Sequence, residues 1–321
     1  MSTMKKSMSV AARVCVLAAL SGGAWGQCGP GWSEAFTPAF MRRGDDASAT
    51  VFDDGAGPKL VVSDLMRKGD RQGGLQMWDG AAWTTVTDSG FDLGSVGIVR
   101  ADDNPAVPRL FATLETPGLF DVLLFEGGLW RSTGFPAEPG LSLATCILPD
   151  PGSDDVYVGG LFDQDGQWTK VYRWDGSTWT ALDSDRSGAS VSDLAWFNDG
   201  SGPALYAGVR NQIDGVPVAG VARWDGVSWS EVGGGCPASW PALAVHDDGA
   251  GEALWALDGG GGSLARWDGE SWIEFPLQAR NAEFSWRLES VELAGSRRLV
   301  WLDRSLESAE VWQWDGVDGE P

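Results

Sequence analysis

Val221-Ala222-Arg223-Trp224-Asp225-Gly226-Val227-Ser228-Trp229-Ser230-Glu231-Val232 is the stretch on which the fold turns. Asp-Gly between two short apolar runs is a strong hairpin signal, because glycine takes positive φ at no steric cost. The residues before it alternate as a half-buried strand should, and aromatic residues favour the pleated surface. The stretch therefore predicts two antiparallel strands joined by a tight turn, with a tryptophan on either side. Such a pair buries much apolar area and suits packing between stacked sheets, so these tryptophans are expected to be structural.

The phrase returns at Trp78, Trp174 and Trp267, in a worn form at Phe125 (F-E-G-G-L-W) and in a cut-off form at Trp314 (W-D-G-V-D-G). From Trp78 through Phe125, Trp174, Trp224 and Trp267 to Trp314 the spacings are 47, 49, 50, 43 and 47 residues. A period in the forties is that of propeller blades. About 25 residues before each copy lies a second hairpin, an apolar strand, an Asp/Gly turn and another strand. It is clearest from Val51 (V-F-D-D-G-A-G-P-K-L-V-V), Trp196 and Val245. Two hairpins per repeat make four strands, a to d, and six repeats predict an all-β, six-bladed β-propeller of four-stranded antiparallel blades. A helical chain is excluded by 45 Gly and 16 Pro and by the lack of a three-to-four-residue apolar period.

The ends extend the prediction. The last copy lacks its second tryptophan, whereas Gly31-Trp32-Ser33-Glu34-Ala35-Phe36 reads like the missing piece. Trp32 to Phe36 is expected to supply strand d of the last blade, closing the ring and removing exposed sheet edges. Before it, Lys5, Lys6 and Arg13 precede a short apolar run, Val14 to Leu20, and Ala24-Trp25-Gly26 offers small residues at −3 and −1. Residues 1–26 thus read as a signal peptide cleaved after Gly26, and 27–321 as one propeller domain. The apolar run is too short to span a bilayer. A secreted or periplasmic monomer without membrane insertion is expected. Around Cys28 the residues do not match a lipobox.

Without Lys5, Lys6 and Arg13 the chain has 20 basic residues against 45 acidic ones, a net of −25. Nucleic acid and anionic membrane surfaces need a basic face and are disfavoured as partners. Cys28, Cys146 and Cys236 are an odd number in an exported chain, so no disulfide framework is expected. Cys146, aligned with Leu194 and Leu243, is expected to be buried in an innermost strand.

Chemistry is sparse. His246 is the only histidine, which excludes multi-histidine metal sites and disfavours a Ser-His-Asp triad. It stands where sister blades have Phe52 and Phe197, at the end of strand a. Most acids fall at repeated turn positions, where Asp bonds its own loop. No catalytic or metal-ligating residue is assigned and no cofactor is expected, though a Ca²⁺ ion remains compatible with so acidic a chain.

The A-R-W-D-G-x-S-W repeat with its upstream D-D-G-x-G-P hairpin resembles secreted bacterial β-propeller repeat proteins. These are similar to kelch and galactose-oxidase central domains and to fungal cortical polarity-marker repeats. The resemblance covers essentially residues 31–321 and implies the propeller; its members act as scaffolds, binders or enzymes. Copper-radical oxidation is excluded here by one histidine and three tyrosines. Three tryptophans, Trp168, Trp240 and Trp286, fall outside the repeat positions, in expected b–c and d–a connections that open onto one face. They are the candidate ligand-binding residues, against a purely structural role capping blade interfaces. The expected function is a non-catalytic module that binds a protein or carbohydrate. The alternative is a carboxylate-based hydrolase, a glycosidase or Ca²⁺-dependent lactonase-like enzyme, with its site at the central channel.

Overall fold

A computed structural model describes residues 48–314 apart from 65–73, 87–90, 92–95, 103–107, 117–118, 137–141, 165–166, 185–187, 261, 278–283, 294–295 and 305–308. Every described regular element is a strand. The first blade is β1 (Ser48–Asp53), β2 (Pro58–Asp64), β3 (Gly74–Trp78) and β4 (Trp83–Thr85). The second is β5 (Val96–Asp102), β6 (Arg109–Thr116), β7 (Leu119–Glu126) and β8 (Leu129–Ser132). The third is β9 (Leu143–Pro149), β10 (Val156–Gln164), β11 (Gln167–Trp174) and β12 (Trp179–Ala181). The fourth is β13 (Val191–Asn198), β14 (Pro203–Ile213), β15 (Val216–Trp224) and β16 (Trp229–Glu231). The fifth is β17 (Ala242–Asp247), β18 (Glu252–Leu257), β19 (Ser263–Trp267) and β20 (Trp272–Pro276). The sixth has three described strands, β21 (Phe284–Leu293), β22 (Ser296–Arg304) and β23 (Ala309–Trp314). Each is an antiparallel sheet in simple sequence order, the blade of a six-bladed β-propeller, as the repeat predicts. Trp32 to Phe36, the expected closing strand, lies outside the described residues, as do the signal region and Cys28.

The described chain divides into two compact units, 48–182 and 183–314, with three blades each. In the first unit, Phe52, Val61 and Leu75 of blade one meet Val99, Leu110 and Trp130 of blade two. Phe111 and Phe120 of blade two meet Val158, Phe162 and Trp174 of blade three. In the second unit, Tyr206 and Val221 pack against Leu254 and Trp267, and Trp255 and Leu257 against Leu299, Trp301 and Trp314. The cores are therefore the faces between successive blades.

The repeated tryptophans serve these faces. Trp78, Trp174, Trp224 and Trp267 each pair in register with the second tryptophan of their hairpin, at ring distances of 5.5, 6.1, 5.3 and 5.4 Å. Several reach back to the preceding blade. Trp174 meets the Phe111 ring at 5.9 Å, Trp179 donates its indole N–H to Thr133, and Trp272 donates to the Val232 carbonyl. Their role is structural.

The W-D-G turn is a four-residue loop rather than the two-residue turn that Asp-Gly favours. Asp79 accepts the N–H groups of Ala81 and Ala82 on Oδ1, both at 2.8 Å, and Asp175, Asp225 and Asp268 do the same in their blades. These bonds to the charged form hold the four carboxyls below their ordinary range. The worn copy has no such aspartate and closes through two left-handed glycines, Gly127 and Gly128, between Glu126 and Leu129. In the a–b hairpin, Asp53, Asn198 and Asp247 each accept two glycine N–H groups. The repeat arginine completes the design at modest energetic value: Arg223 faces Asp199 at 3.5 Å and Arg266 faces Asp248 at 3.2 Å.

Candidate functional site

In blades four and five the b–c connection and the start of strand a lie at the end opposite the W-D-G turn. In the second unit this end is built from the β14–β15 hairpin, the connection 232–241, the loop after β18 and the start of β21. β14 has 11 residues, more than any other described strand, and β15 follows it through Asp214-Gly215, so this hairpin projects. The connection leaves β16 through Gly233, Gly234 and Gly235, all at positive φ. It is then fixed: Cys236 N–H donates to Ala219 O at 2.7 Å, Ser239 donates through N–H and hydroxyl to Asp258 at 3.0 Å, and Ser192 donates to Pro241 O at 2.7 Å.

This scaffold places Trp240 at φ 65°, where a bulky side chain is disfavoured by about 1–2 kcal/mol. Its ring is half-buried, and the Arg210 guanidinium lies over it at 5.6 Å. The other left-handed non-glycine residues among the described ones are Asn211, Asp214 and Arg287. All four belong to the second unit and to this end of its blades. Arg287 is the extra residue of a bulge in β21, between the pairs Trp286–Leu302 and Leu288–Trp301.

The sequence candidates take different positions. Trp240 lies in a connection, as expected. Trp168 does not: it is the second residue of β11, opposite Asp163 and half-buried. Trp286 is likewise within a strand, the third residue of β21. Long hairpin strands, not loops, carry these two, because pairing continues to the blade end. Trp168 belongs to the first unit, Trp240 and Trp286 to the second.

One carboxyl stands apart from the turn aspartates. Asp193 on β13 accepts the N–H of Leu194 at 2.9 Å and, across to blade five, that of Leu243 at 3.0 Å. Protein surrounds the carboxyl, although the residue keeps some accessible surface. Burial pushes it up to about 6, against the pull of those two N–H groups and of Arg287, with Glu289 adding to the rise. Ser48, Ile98, Cys146, Asp193, Ala242 and Arg287 share one position, three residues before the one that faces the W-D-G tryptophan (Phe125 in blade two) across strand b. In blade one, Ser48 there accepts the N–H of Val99 of blade two at 3.3 Å, as Asp193 does from Leu243. Asp193 is thus an ionisable version of a blade-to-blade strap. The same register puts Cys146 level with Asp193, not with Leu194 and Leu243; the shorter a–b hairpin of blade three, with six residues between Pro149 and Val156 against eight between Trp196 and Leu205, accounts for the one-residue difference.

Cys146 and Cys236 are both buried, and burial pushes the Cys236 thiol up to about 12. His246 stands at its expected strand end, its Nδ1 2.9 Å from Ser290 Oγ and its pKa lowered by burial. Among the described residues no three His, Cys, Asp or Glu side chains gather as a metal group, and no helix is long and apolar enough to cross a membrane.

The Asp193 shift carries a sign. A carboxyl raised from about 3.9 to about 6 favours the folded state fully below the lower value, and that contribution is lost as pH rises through the upper one. Roughly 2–4 kcal/mol of stability should disappear between about pH 4 and 6 from this group. Thermal melting against pH is expected to fall across that window in the natural protein and to run nearly flat in Asp193→Asn. Equal slopes would remove Asp193 as the cause.

No family model and no curated protein matches this chain. Among solved structures it is similar to a nidogen/laminin complex, with 13% identity, a TM-score of 0.39 and coverage of 82% of this chain and 75% of that one. It is also similar to an ancestral GH74 enzyme, with 13% identity, a TM-score of 0.52 and coverage of 83% of this chain. The chain spans 41% of that enzyme's length. At this identity the second likeness speaks to the fold alone.

Proposed function

We propose that this chain is an exported, non-catalytic β-propeller that binds a glycan or protein partner at the blade ends opposite the W-D-G turns, with Trp240 and Trp286 as contact residues of the second unit and Trp168 as a separate candidate in the first. The supporting observation is Trp240 itself: a large aromatic residue in a disfavoured backbone region, on a connection fixed at both ends. Strain of this kind persists where the surroundings over-determine it, and it gathers at binding sites. The turn acids, by contrast, are committed to their own loops, which leaves them poor candidates for catalysis. Export rests on the basic and apolar N-terminal stretch and is checked by sequencing the mature N-terminus, expected at Gln27.

Replacing Trp168, Trp240 and Trp286 together with Ala should abolish binding in a glycan-array and affinity-capture screen while the melting temperature holds. A large fall in melting temperature would instead assign them to the blade interfaces.

Asp193 and Glu289 favour a second reading, a carboxylate hydrolase. An acid that is half-protonated near pH 6 beside another carboxylate has the makings of a general acid. Its two oxygens, however, already serve Leu194 and Leu243. A hydrolase would lose turnover of glycan substrates in Asp193→Asn; a strap would change only stability and its pH dependence.

A further inference from the structure

The Arg210–Trp240 pair has a feature that binding in general does not require. Among the described residues, Arg109, Arg131, Arg173, Arg223 and Arg266 all meet carboxylates. Arg210 is exposed and, like Arg100, Arg297 and Arg298, meets none among the described residues, on a chain with 45 acidic residues and 23 basic ones. Its guanidinium is nevertheless held in place by the Trp240 ring. Holding a flexible, charged side chain over an aromatic face reduces the entropy a ligand must overcome and leaves the planar N–H fork open. That fork matches a carboxylate bidentately.

The surroundings narrow the ligand further. Asn211 is exposed and Gln212 half-buried on the same projecting hairpin, giving amide donors and acceptors beside the guanidinium. The exposed large apolar residues among those described, Leu129, Leu143, Val227 and Ile273, lie on other elements. A peptide would find no apolar anchor here, whereas a hydroxyl-rich ligand finds matched polar groups. Net charge sets a limit as well: a chain at −22 repels a polyanion at long range. A single carboxylate on a neutral chain avoids that repulsion.

We propose that Arg210, held over Trp240, binds the carboxylate of an isolated acidic sugar on an otherwise neutral glycan. This rests on the binding function proposed above and specifies its ligand.

The test is calorimetric titration with three probes: a neutral xylo-oligosaccharide, the same oligosaccharide bearing one glucuronic acid branch, and polygalacturonate. The natural protein should prefer the branched probe to both others by about ten-fold or more. Arg210→Gln should erase that preference and Arg210→Lys should retain only part of it, because an ammonium cannot make the bidentate contact. Melting temperatures of both variants should stay unchanged, as the side chain is exposed. Equal affinity for neutral and branched probes, lost in Trp240→Ala but kept in Arg210→Gln, would overturn the acidic-sugar assignment and leave glycan binding standing. Tightest binding to polygalacturonate would overturn the isolated-charge assignment. No binding to any of the three would overturn this proposal, whereas capture of a protein partner that is lost in Trp240→Ala would leave the binding function intact.

Discussion

Replacing Trp174 with Ala is expected to destabilise the protein by about 3–5 kcal/mol, a large share of the roughly 5–15 kcal/mol that holds a folded domain together. Trp174 is 1% exposed and lies between the second and third blades. It meets Phe111 edge-on at 5.9 Å, stacks on Trp179 at 6.1 Å, and carries the Arg131 guanidinium over its ring at 5.6 Å. Truncation would open a cavity on a face shared by two sheets, where neither blade can close it alone. Trp174→Phe should cost much less. The indole N–H has no acceptor among the described residues, so removing it sacrifices no hydrogen bond and relieves a buried donor. Chemical denaturation followed by tryptophan fluorescence reads both changes. Val227→Ala, in an equivalent W-D-G turn but 85% exposed, should fall within about 0.5 kcal/mol of the natural protein. Similar losses for Trp174→Ala and Val227→Ala would contradict the assignment of the motif to the blade interface.

The second large effect is expected from Gly220→Ala, at about 2–5 kcal/mol. Gly220 lies in β15 at φ 89°, already unfavourable for any residue with a side chain. An added Cβ would stand 2.5 Å from Ala238 O and 2.8 Å from Cys236 Cβ. Both belong to the connection that carries Trp240, and its Cys236 N–H bond to Ala219 is next to the clash. The substitution should therefore lower stability and displace Trp240 together, so ligand affinity falls even at temperatures where the variant is folded. Gly226→Ala is the comparison: its φ is 100°, but an added Cβ meets nothing within 4 Å. It should show the backbone cost without the effect on Trp240. A Gly220→Ala protein that melts and binds like the natural one would mean that the connection is more yielding than its bonds imply.

Much of the fold was legible because its signals are local. An aspartate that accepts N–H groups two and three residues on needs only its own loop, so W-D-G reads as a hairpin in isolation. The candidate site was legible only in part. Trp240 stands out because it falls outside the repeat, and the interval of 50 residues from Trp174 to Trp224, the longest of the five, already hints at the projecting β14–β15 hairpin. Arg210 gives no such signal; it becomes notable only when its guanidinium is seen over the Trp240 ring. Asp193 was equally hidden, since Val-Ser-Asp-Leu has no motif and its partner Leu243 is 50 residues away.

Taken by itself, the sequence determines six repeats, four strands in each complete one, and the commitment of most tryptophans and turn acids to that framework. These follow from period, alternation and turn chemistry, all set within a few residues. Only the tertiary structure decides which side chain sits over which ring, which carboxyl is desolvated, and which non-glycine residues are forced left-handed. Those properties arise where one blade end meets the next, between residues far apart in the chain. In W-D-G-x-x-W the two levels meet: the turn is local, and the destination of its tryptophans is the neighbouring blade.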